Sequence, residues 1–309
     1  MIKLRRFSWT ISIILVNFVI LLSIEFMGGP SVYNLLKIGG QFGPLVSSGE
    51  WYRIVTAMFV HAGWLHLLFN MYALYYLGML VENLYGASKF LTVYFVSGIV
   101  GNLLSQVFYY SVPSVGASGA IFGLVGLLLA ATYFRSDFPS TIRRTMYVIL
   151  LPMVIFNIAY GFMPGTDINN AAHLGGFGAG LLFGLIIPVG QSWGIKKKLW
   201  GAAGIFVLIV AFASFVGLAT NNSVITLQPT INFANSYSKI LYSLEFGYSV
   251  TNADLNTLTP FNSETKRLKE ELLSYIRNGY PELRKLSSEY NSWLEMIKKR
   301  YKGLIGVEK

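Results

Sequence analysis

Seven apolar stretches mark the chain, at about 8–27, 65–81, 89–111, 117–134, 145–162, 171–189 and 199–219. A hydrocarbon core about 30 Å thick needs roughly 20 helical residues to cross it. Only helices or closed barrels satisfy their backbone inside lipid. The pattern therefore predicts an all-α, polytopic membrane helix bundle. The second stretch is expected to be short and to lean on interfacial residues. The first follows Lys3, Arg5 and Arg6 and resembles a signal peptide. Its apolar part is about 18 residues long with no small-x-small site after it, so it reads as a retained first span.

Between the first two stretches lies a connection of unusual character, about 28–64. It is glycine-rich, yet apolar and aromatic, and is expected to lie partly in the membrane interface with Trp51, Tyr52 and Trp64 at headgroup depth. After residue 220 the pattern changes. Leu268, Leu272 and Ile276 share one face of a helix over 263–277, which ends at Asn278-Gly279. Leu283, Leu286, Tyr290, Trp293, Ile297 and Tyr301 form a second helical face over 281–302, opened by Pro281. Residues 230–247 are ambiguous. The tail reads as a small helical domain, packed on itself, a partner or the membrane surface, or else as a solvated hairpin.

Composition agrees: of 309 residues, 54% are hydrophobic and only 12% charged. Soluble proteins usually carry about twice that share of charge. The net charge of +10 calls for no nucleic-acid partner. Ten of the 24 Lys and Arg flank the apolar stretches, and twelve lie in the tail beside nine acidic residues. Lys3, Arg5, Arg6, Lys89, Arg135, Arg143, Arg144 and Lys196–Lys198 all fall on one side if the N-terminus is cytoplasmic. The opposite short loops hold only Lys37 and Arg53. The expected place is the cell membrane, with the tail extracytoplasmic. The chain has no cysteine, which excludes thiolate catalysis and thiolate metal sites within it.

Candidate chemistry gathers at helix starts. His66 opens the second span with Asn70 one turn later, Ser118 opens the fourth in GASGAIFG, and His173 opens the sixth in AAHLGGFGAG. These spans run in the same direction, which sets the four residues at a similar depth. Polar groups in a span face a cavity or a partner. A serine hydroxyl needs a base to become a nucleophile, and neutral imidazole is one near pH 7. A third, orienting carboxylate is hard to find; Asp167 is on the right side, in a loop. A Ser118–His173 dyad is therefore favoured over a triad. His66, Asn70 and the Ser118 N–H are the available oxyanion donors, aided by the positive end of the fourth helix. The plainer alternatives stand beside this. Gly116-x-Ser118-Gly119 alone is a close-packing pattern, and it is not the G-x-S-x-G elbow of soluble hydrolases. Gly176, Gly180 and Gly184 read as packing of span six against span four. His61 suits a loop-holding role as well as a reactive one, and His66 with Asn70 suits an interhelical clamp. Three histidines without a placed carboxylate fit metal-assisted hydrolysis poorly, so no metal or other cofactor is expected.

Taken together, GEWYR, HAGWLHLLFN, VENLYG, GASGAIFG and AAHLGGFGAG, in this order over about 10–190, resemble the rhomboid intramembrane serine proteases. The resemblance implies a six-helix core, with Ser118 as nucleophile, His173 as general base, and His66 and Asn70 as oxyanion donors. It implies that Gly176 and Gly180 bring the histidine helix to the serine helix, and that Arg53 and Glu82 are structural anchors. Phe122 stands where an aromatic ring, often tyrosine, packs on the histidine; here the hydroxyl is missing. Tyr52 stands where a tryptophan often precedes the arginine. The seventh span and tail look like a six-plus-one arrangement. The expected division is 1–192 as core, 193–220 as seventh span with its basic loop, and 221–309 as tail. The implied reaction is endopeptidase cleavage of single-pass transmembrane proteins at or near their span, after a small residue. Residues 163–171 are a candidate lid, with the fifth span as a side gate. The competing reading is a non-catalytic membrane protein that binds spans or carries a small solute. A third makes the tail the working part and the membrane helices its anchor.

Overall fold

The computed structural model describes residues 8–166, 168–190, 194–221, 223–278 and 282–300. Lys3, Arg5, Arg6, Asp167, Gly279, Pro281 and Tyr301, all invoked above, lie outside them. The chain divides into two compact units, Met1–Asn221 and Asn222–Lys309.

The long elements described in the first unit are all helices. Its long helices are α1 (Trp9–Phe26), α5 (Trp64–Tyr85), α6 (Ala87–Phe108), α7 (Ser118–Phe134), α8 (Ser140–Gly161), α9 (Asn170–Ile186) and α10 (Gly194–Asn221). Between α1 and α5 come α2 (Val32–Lys37), α3 (Gly43–Ser47), α4 (Arg53–Thr56) and a 3-10 turn. Five helices are long and apolar enough to cross a membrane: α1, α5, α6, α8 and α10. Both α7 and α9 have 17 residues, about 25 Å of axis. The shortness of α7 fits its position, because Gly119 to Thr132 are all buried among other helices, whereas α9 leaves Leu182, Leu185 and Ile186 exposed. One expectation needs correction: α5 is not short. It runs 22 residues, on through Glu82, the charge that ended the apolar stretch at residue 81.

Contacts at the helix ends show the alternation of direction. Glu82, near the end of α5, takes the start of α1: it accepts bonds from the N–H groups of Trp9 and Thr10 (3.0 and 3.1 Å) and from both hydroxyls of Ser8 and Thr10 (2.8 Å each). A carboxylate at a helix N-terminus satisfies orphan donors and complements the helix dipole. Lys89, at the start of α6, is buried and donates to the carbonyls of Pro188 (2.8 Å) and Gly190 (2.9 Å), just past α9. Arg143 of α8 donates to the carbonyls of Thr132 and Arg135 at the end of α7. Arg135 pairs with Asp137 (2.8 Å) and donates to Leu185 of α9. Three of the basic residues expected to set topology thus also close helix C-termini, where cations are favoured.

The connection between α1 and α5 has tertiary structure of its own. It is a folded cap around Arg53, which is fully buried. Arg53 bonds Glu50 (2.6 and 2.7 Å) and donates to the carbonyls of Leu36 (2.6 Å) and Gly40 (2.8 Å). Losing one member of such a buried pair costs about 3–5 kcal/mol, because the other is left uncompensated. Trp51 and Trp64 are exposed, whereas the Tyr52 hydroxyl bonds Glu50 (2.5 Å) and its ring packs on Gly217 of α10.

The closest packing is between α7 and α9. A methyl group at Gly176 would overlap the carbonyl oxygen of Gly119, one at Gly180 that of Gly123, and one at Gly184 would sit 2.5 Å from that of Leu127. Both helices advance by four residues together, so they run parallel. Lipid is as apolar as leucine, so burial gives no drive here and attraction comes from close van der Waals contact, which small residues permit. On the far side, Gly101 of α6 meets the Ala172 carbonyl in the same way.

The second unit consists of α11 (Leu227–Glu245), α12 (Asn252–Thr257), α13 (Ser263–Asn278) and α14 (Leu283–Arg300). The ambiguous stretch is therefore a helix, with Pro229 in its first turn, where no intrahelical N–H bond is lost. Its Tyr237 stacks on Tyr290 (4.9 Å, 11°), and Phe233 meets Trp293 edge-on (5.6 Å). Tyr290 donates to Ala234 (2.9 Å). Leu268 and Leu272 are buried as expected, while Ile276 is partly exposed. The tail packs on itself and is not a solvated hairpin.

Two predictions follow from the packing and from one charge pair. Gly176→Ala and Gly180→Ala should each lower stability by about 1–3 kcal/mol, the usual cost of overpacking. Gly178→Ala, which meets open space, should not; thermal unfolding in detergent separates the three. In the tail, burial and then the facing Glu289 hold the Glu271 carboxyl above the usual carboxylate range, with Arg267 and Lys285 opposing. A raised carboxyl pKa means that the folded tail keeps its proton longer than the unfolded chain. Tail stability should therefore fall as pH rises from the ordinary glutamate range through the raised value. Glu271→Gln should flatten that slope, read as hydrogen exchange of α13 and α14 amides corrected for intrinsic rates.

Candidate active site

At the end of the bundle away from Lys89 and Arg143, the starts of α5, α7 and α9 converge. Ser118 is the first residue of α7, half-buried, and its Oγ lies 2.8 Å from Nε2 of His173. The glycine contacts above explain this distance. Gly119 and Gly176 let the two backbones touch one residue after Ser118 and three after His173, so both side chains emerge into the same gap.

His173 is held by its faces. Phe122, one turn below Ser118, stacks on the imidazole with ring centres 4.3 Å apart and planes at 12°. Its Nδ1 is buried and has no hydrogen-bond partner among the described residues. No carboxylate of the described residues reaches it, and Asp167, the candidate third member, lies outside them. If Nε2 accepts the serine proton, Nδ1 must carry the ring hydrogen in the neutral tautomer.

His66 lies beside the serine loop. Gly116 has φ +122°, a conformation that side chains rarely adopt, and a methyl group there would come within 2.8 Å of His66 Nε2. Glycine therefore serves twice, turning the chain into α7 and leaving room for the imidazole. His66 Nδ1 accepts the Ala62 N–H at 3.4 Å, which leaves Nε2 as the hydrogen-bearing atom, directed toward the Ser118 loop. Asn70 is buried one turn along and donates one amide hydrogen to the His66 carbonyl (2.9 Å). Its other amide hydrogen is not engaged by that bond. His61 is fully buried and lies edge-on to His66, ring centres 5.0 Å apart. The first N–H groups of α7 have no intrahelical acceptor, as at any helix start. No group of three or more His, Cys, Asp or Glu able to hold a metal occurs among the described residues.

Arg53 and Glu82 do not reach this gap. One holds the cap and the other holds α1. Sequence reasoning missed Asn169, the side chain that caps α9, and Gln41, which pairs with Ser114 in a two-way backbone bridge (3.0 and 2.9 Å). Both are polar residues in connecting segments, with no periodicity to single them out.

Among known proteins, the Rhomboid domain family model matches residues 48–189. Rhomboid protease GluP of Bacillus subtilis (strain 168) is 36% identical over 186 residues, 60% of this chain and 36% of its own length. RHOMBOID-like protein 7 of Arabidopsis thaliana is 32% identical over 231 residues, 71% of this chain and 72% of its own. Rhomboid-like protease 3 of Toxoplasma gondii is 34% identical over 155 residues, 49% and 57%. The chain thus spans little more than a third of GluP. The match extends over the helices that carry Ser118, His173, His66 and Asn70, in a multi-pass helical membrane protein. The chain belongs to the rhomboid family.

Proposed function

We propose that this protein is an intramembrane serine endopeptidase in which Ser118 and His173 form the catalytic dyad. The observation that carries the reading is the 2.8 Å approach of Ser118 Oγ to His173 Nε2, with Phe122 stacked on the ring. Relatives named as proteases support the same chemistry.

The reaction runs in two halves. Nε2 takes the Ser118 proton as Oγ attacks the scissile carbonyl carbon. Negative charge develops on the carbonyl oxygen. The donors assigned to it are the Ser118 N–H, His66 Nε2–H and the second amide hydrogen of Asn70. Each such donor is worth about 3 kcal/mol in the barrier. The positive end of α7 acts in the same sense. Collapse of the tetrahedral adduct breaks the C–N bond, and His173 returns the proton to the leaving amine. Water then attacks the acyl-enzyme, again with Nε2 as base, and releases Ser118. Among the described residues, the Phe122 face is what orients the imidazole.

The substrates are single-pass membrane proteins. Their peptide bonds are locked in a helical hydrogen-bond ladder, so cleavage needs local unwinding near the cut. A small residue before the bond would suit the close approach of the α7 and α9 backbones. Entry is sought past α8, which buries only Leu150 and Val154 and contains Pro152. In the membrane, the basic end faces the cytoplasm and the site end lies outside, with the tail extracytoplasmic. Residues 1–192 form the catalytic core, 193–220 the seventh span and 221–309 the tail.

Cleavage of a single-pass reporter by the purified chain tests the reading. Ser118→Ala and His173→Ala should each abolish it; cleavage that survives in Ser118→Ala would reject the assignment. Phe122→Ala should lower kcat by about tenfold or more, since a loosely held base spends less time in line, while Phe122→Tyr should keep most activity. Equal kcat in Phe122→Ala would show that the stack does not orient His173.

A further inference from the structure

Asn169 ends the connection after α8 and caps α9, four residues before His173. Its Oδ1 accepts the Ala172 N–H at 3.0 Å. That bond fixes which side of the amide is oxygen, because a backbone N–H can only donate. The amide nitrogen therefore faces two hydroxyls, Ser105 Oγ at 2.6 Å and Ser114 Oγ at 3.0 Å. Its backbone carbonyl accepts the N–H of His173 itself (3.2 Å). Ser105 is buried near the end of α6. Ser114 lies four residues before Ser118, and its main chain is bridged to Gln41. Gln41 in turn donates to the Asn102 carbonyl of α6 (2.8 Å). One side chain thus joins the histidine helix, the serine loop and α6.

We infer that Asn169 is a positioning residue that sets the register of His173 against Ser118. This rests on the hydrolase reading above. Glycine contacts fix how close α7 and α9 come, but smooth small-residue surfaces resist sliding and rotation weakly. A hydrogen bond of 2.8 Å loses its value when its partners shift by much less than one residue of helix rise. Directional bonds in a low-dielectric interior supply the missing restraint. An ordinary N-cap is satisfied by serine or threonine as well as asparagine. Serine or threonine would cap α9 but reach neither hydroxyl; a planar amide or carboxylate caps it with one atom and meets both hydroxyls with the other. That requirement goes beyond capping.

The test uses the full-length chain in detergent and the rate at which an alkyl fluorophosphonate labels it, with reporter cleavage and melting temperature in parallel. Asn169→Ser keeps the cap and loses the reach to Ser105 and Ser114. It should label about ten- to a hundredfold more slowly, the scale of a sub-ångström misplacement of reacting groups, with reporter KM unchanged. The Ser105→Ala/Ser114→Ala double variant leaves Asn169 and its cap in place and should show the same loss. Combining the two should slow labelling no further, because both remove the same bonds. Asn169→Asp should recover most of the rate, since both serine hydroxyls can turn to donate. Labelling of Asn169→Ser at the wild-type rate, or a loss that tracks melting temperature and is not recovered by aspartate, would overturn the positioning role while leaving the hydrolase reading intact. A wild-type chain that does not label would remove the hydrolase reading instead.

Discussion

The site depends on one packing constraint, the backbone contact between α7 and α9. In lipid no solvent drives two helices together, so their association rests on how many atoms touch. Gly176 and Gly180 on one helix, against the carbonyls of Gly119 and Gly123 on the other, make that contact as close as backbone permits. A side chain on either face would push the helices apart. Ser118 and His173 would then point across a gap wider than a hydrogen bond. The sparing use of side-chain volume at the centre of the bundle is what makes a two-residue site possible.

Around this contact, polar groups act at the two ends and leave the middle apolar. At the basic end, Lys89, Arg135 and Arg143 close the carbonyl termini of α7 and α9 or the chain just past them, and Glu82 closes the amino terminus of α1. At the site end, Arg53 gathers the cap, and the Gln41–Ser114 bridge ties the cap to the serine loop. Asn169 ties that loop to the histidine helix. Each of these side chains bonds backbone or another polar group, which offsets the cost of placing it in a low-dielectric surrounding. The helices that carry Ser118 and His173 are thus held at both ends.

Much of this was legible in the sequence for a physical reason. Spans announce themselves by hydropathy, and polar residues at their starts stand out against an apolar background. Ser118, His173, His66 and Asn70 were visible on that ground, and the four-residue glycine spacing pointed to close packing. What stayed hidden was non-local. Arg53 acts on carbonyls of residues 36 and 40, so nothing near it in the chain reveals that the connection folds into a cap. Lys89 and Arg143 looked like topology markers because charge counting sees position and not partner. The last turn of α5 was masked by Glu82, and α11 by its serines and asparagines, which read as loop residues although Phe233, Tyr237, Ile240 and Leu241 share one helical face. Asn169 resembled any loop asparagine until its three partners were in view.

The measurement that bears most directly on the central claim is peptide mapping of the chain after reaction with an alkyl fluorophosphonate. Helix packing that turns Ser118 into a nucleophile, with His173 as its base, predicts a single phosphonylated peptide, the one containing Ser118, and none in a chain where Gly176 carries a bulky side chain. Adducts on other serines, or an equal adduct on Ser118 when Gly176 is replaced by valine, would contradict the account.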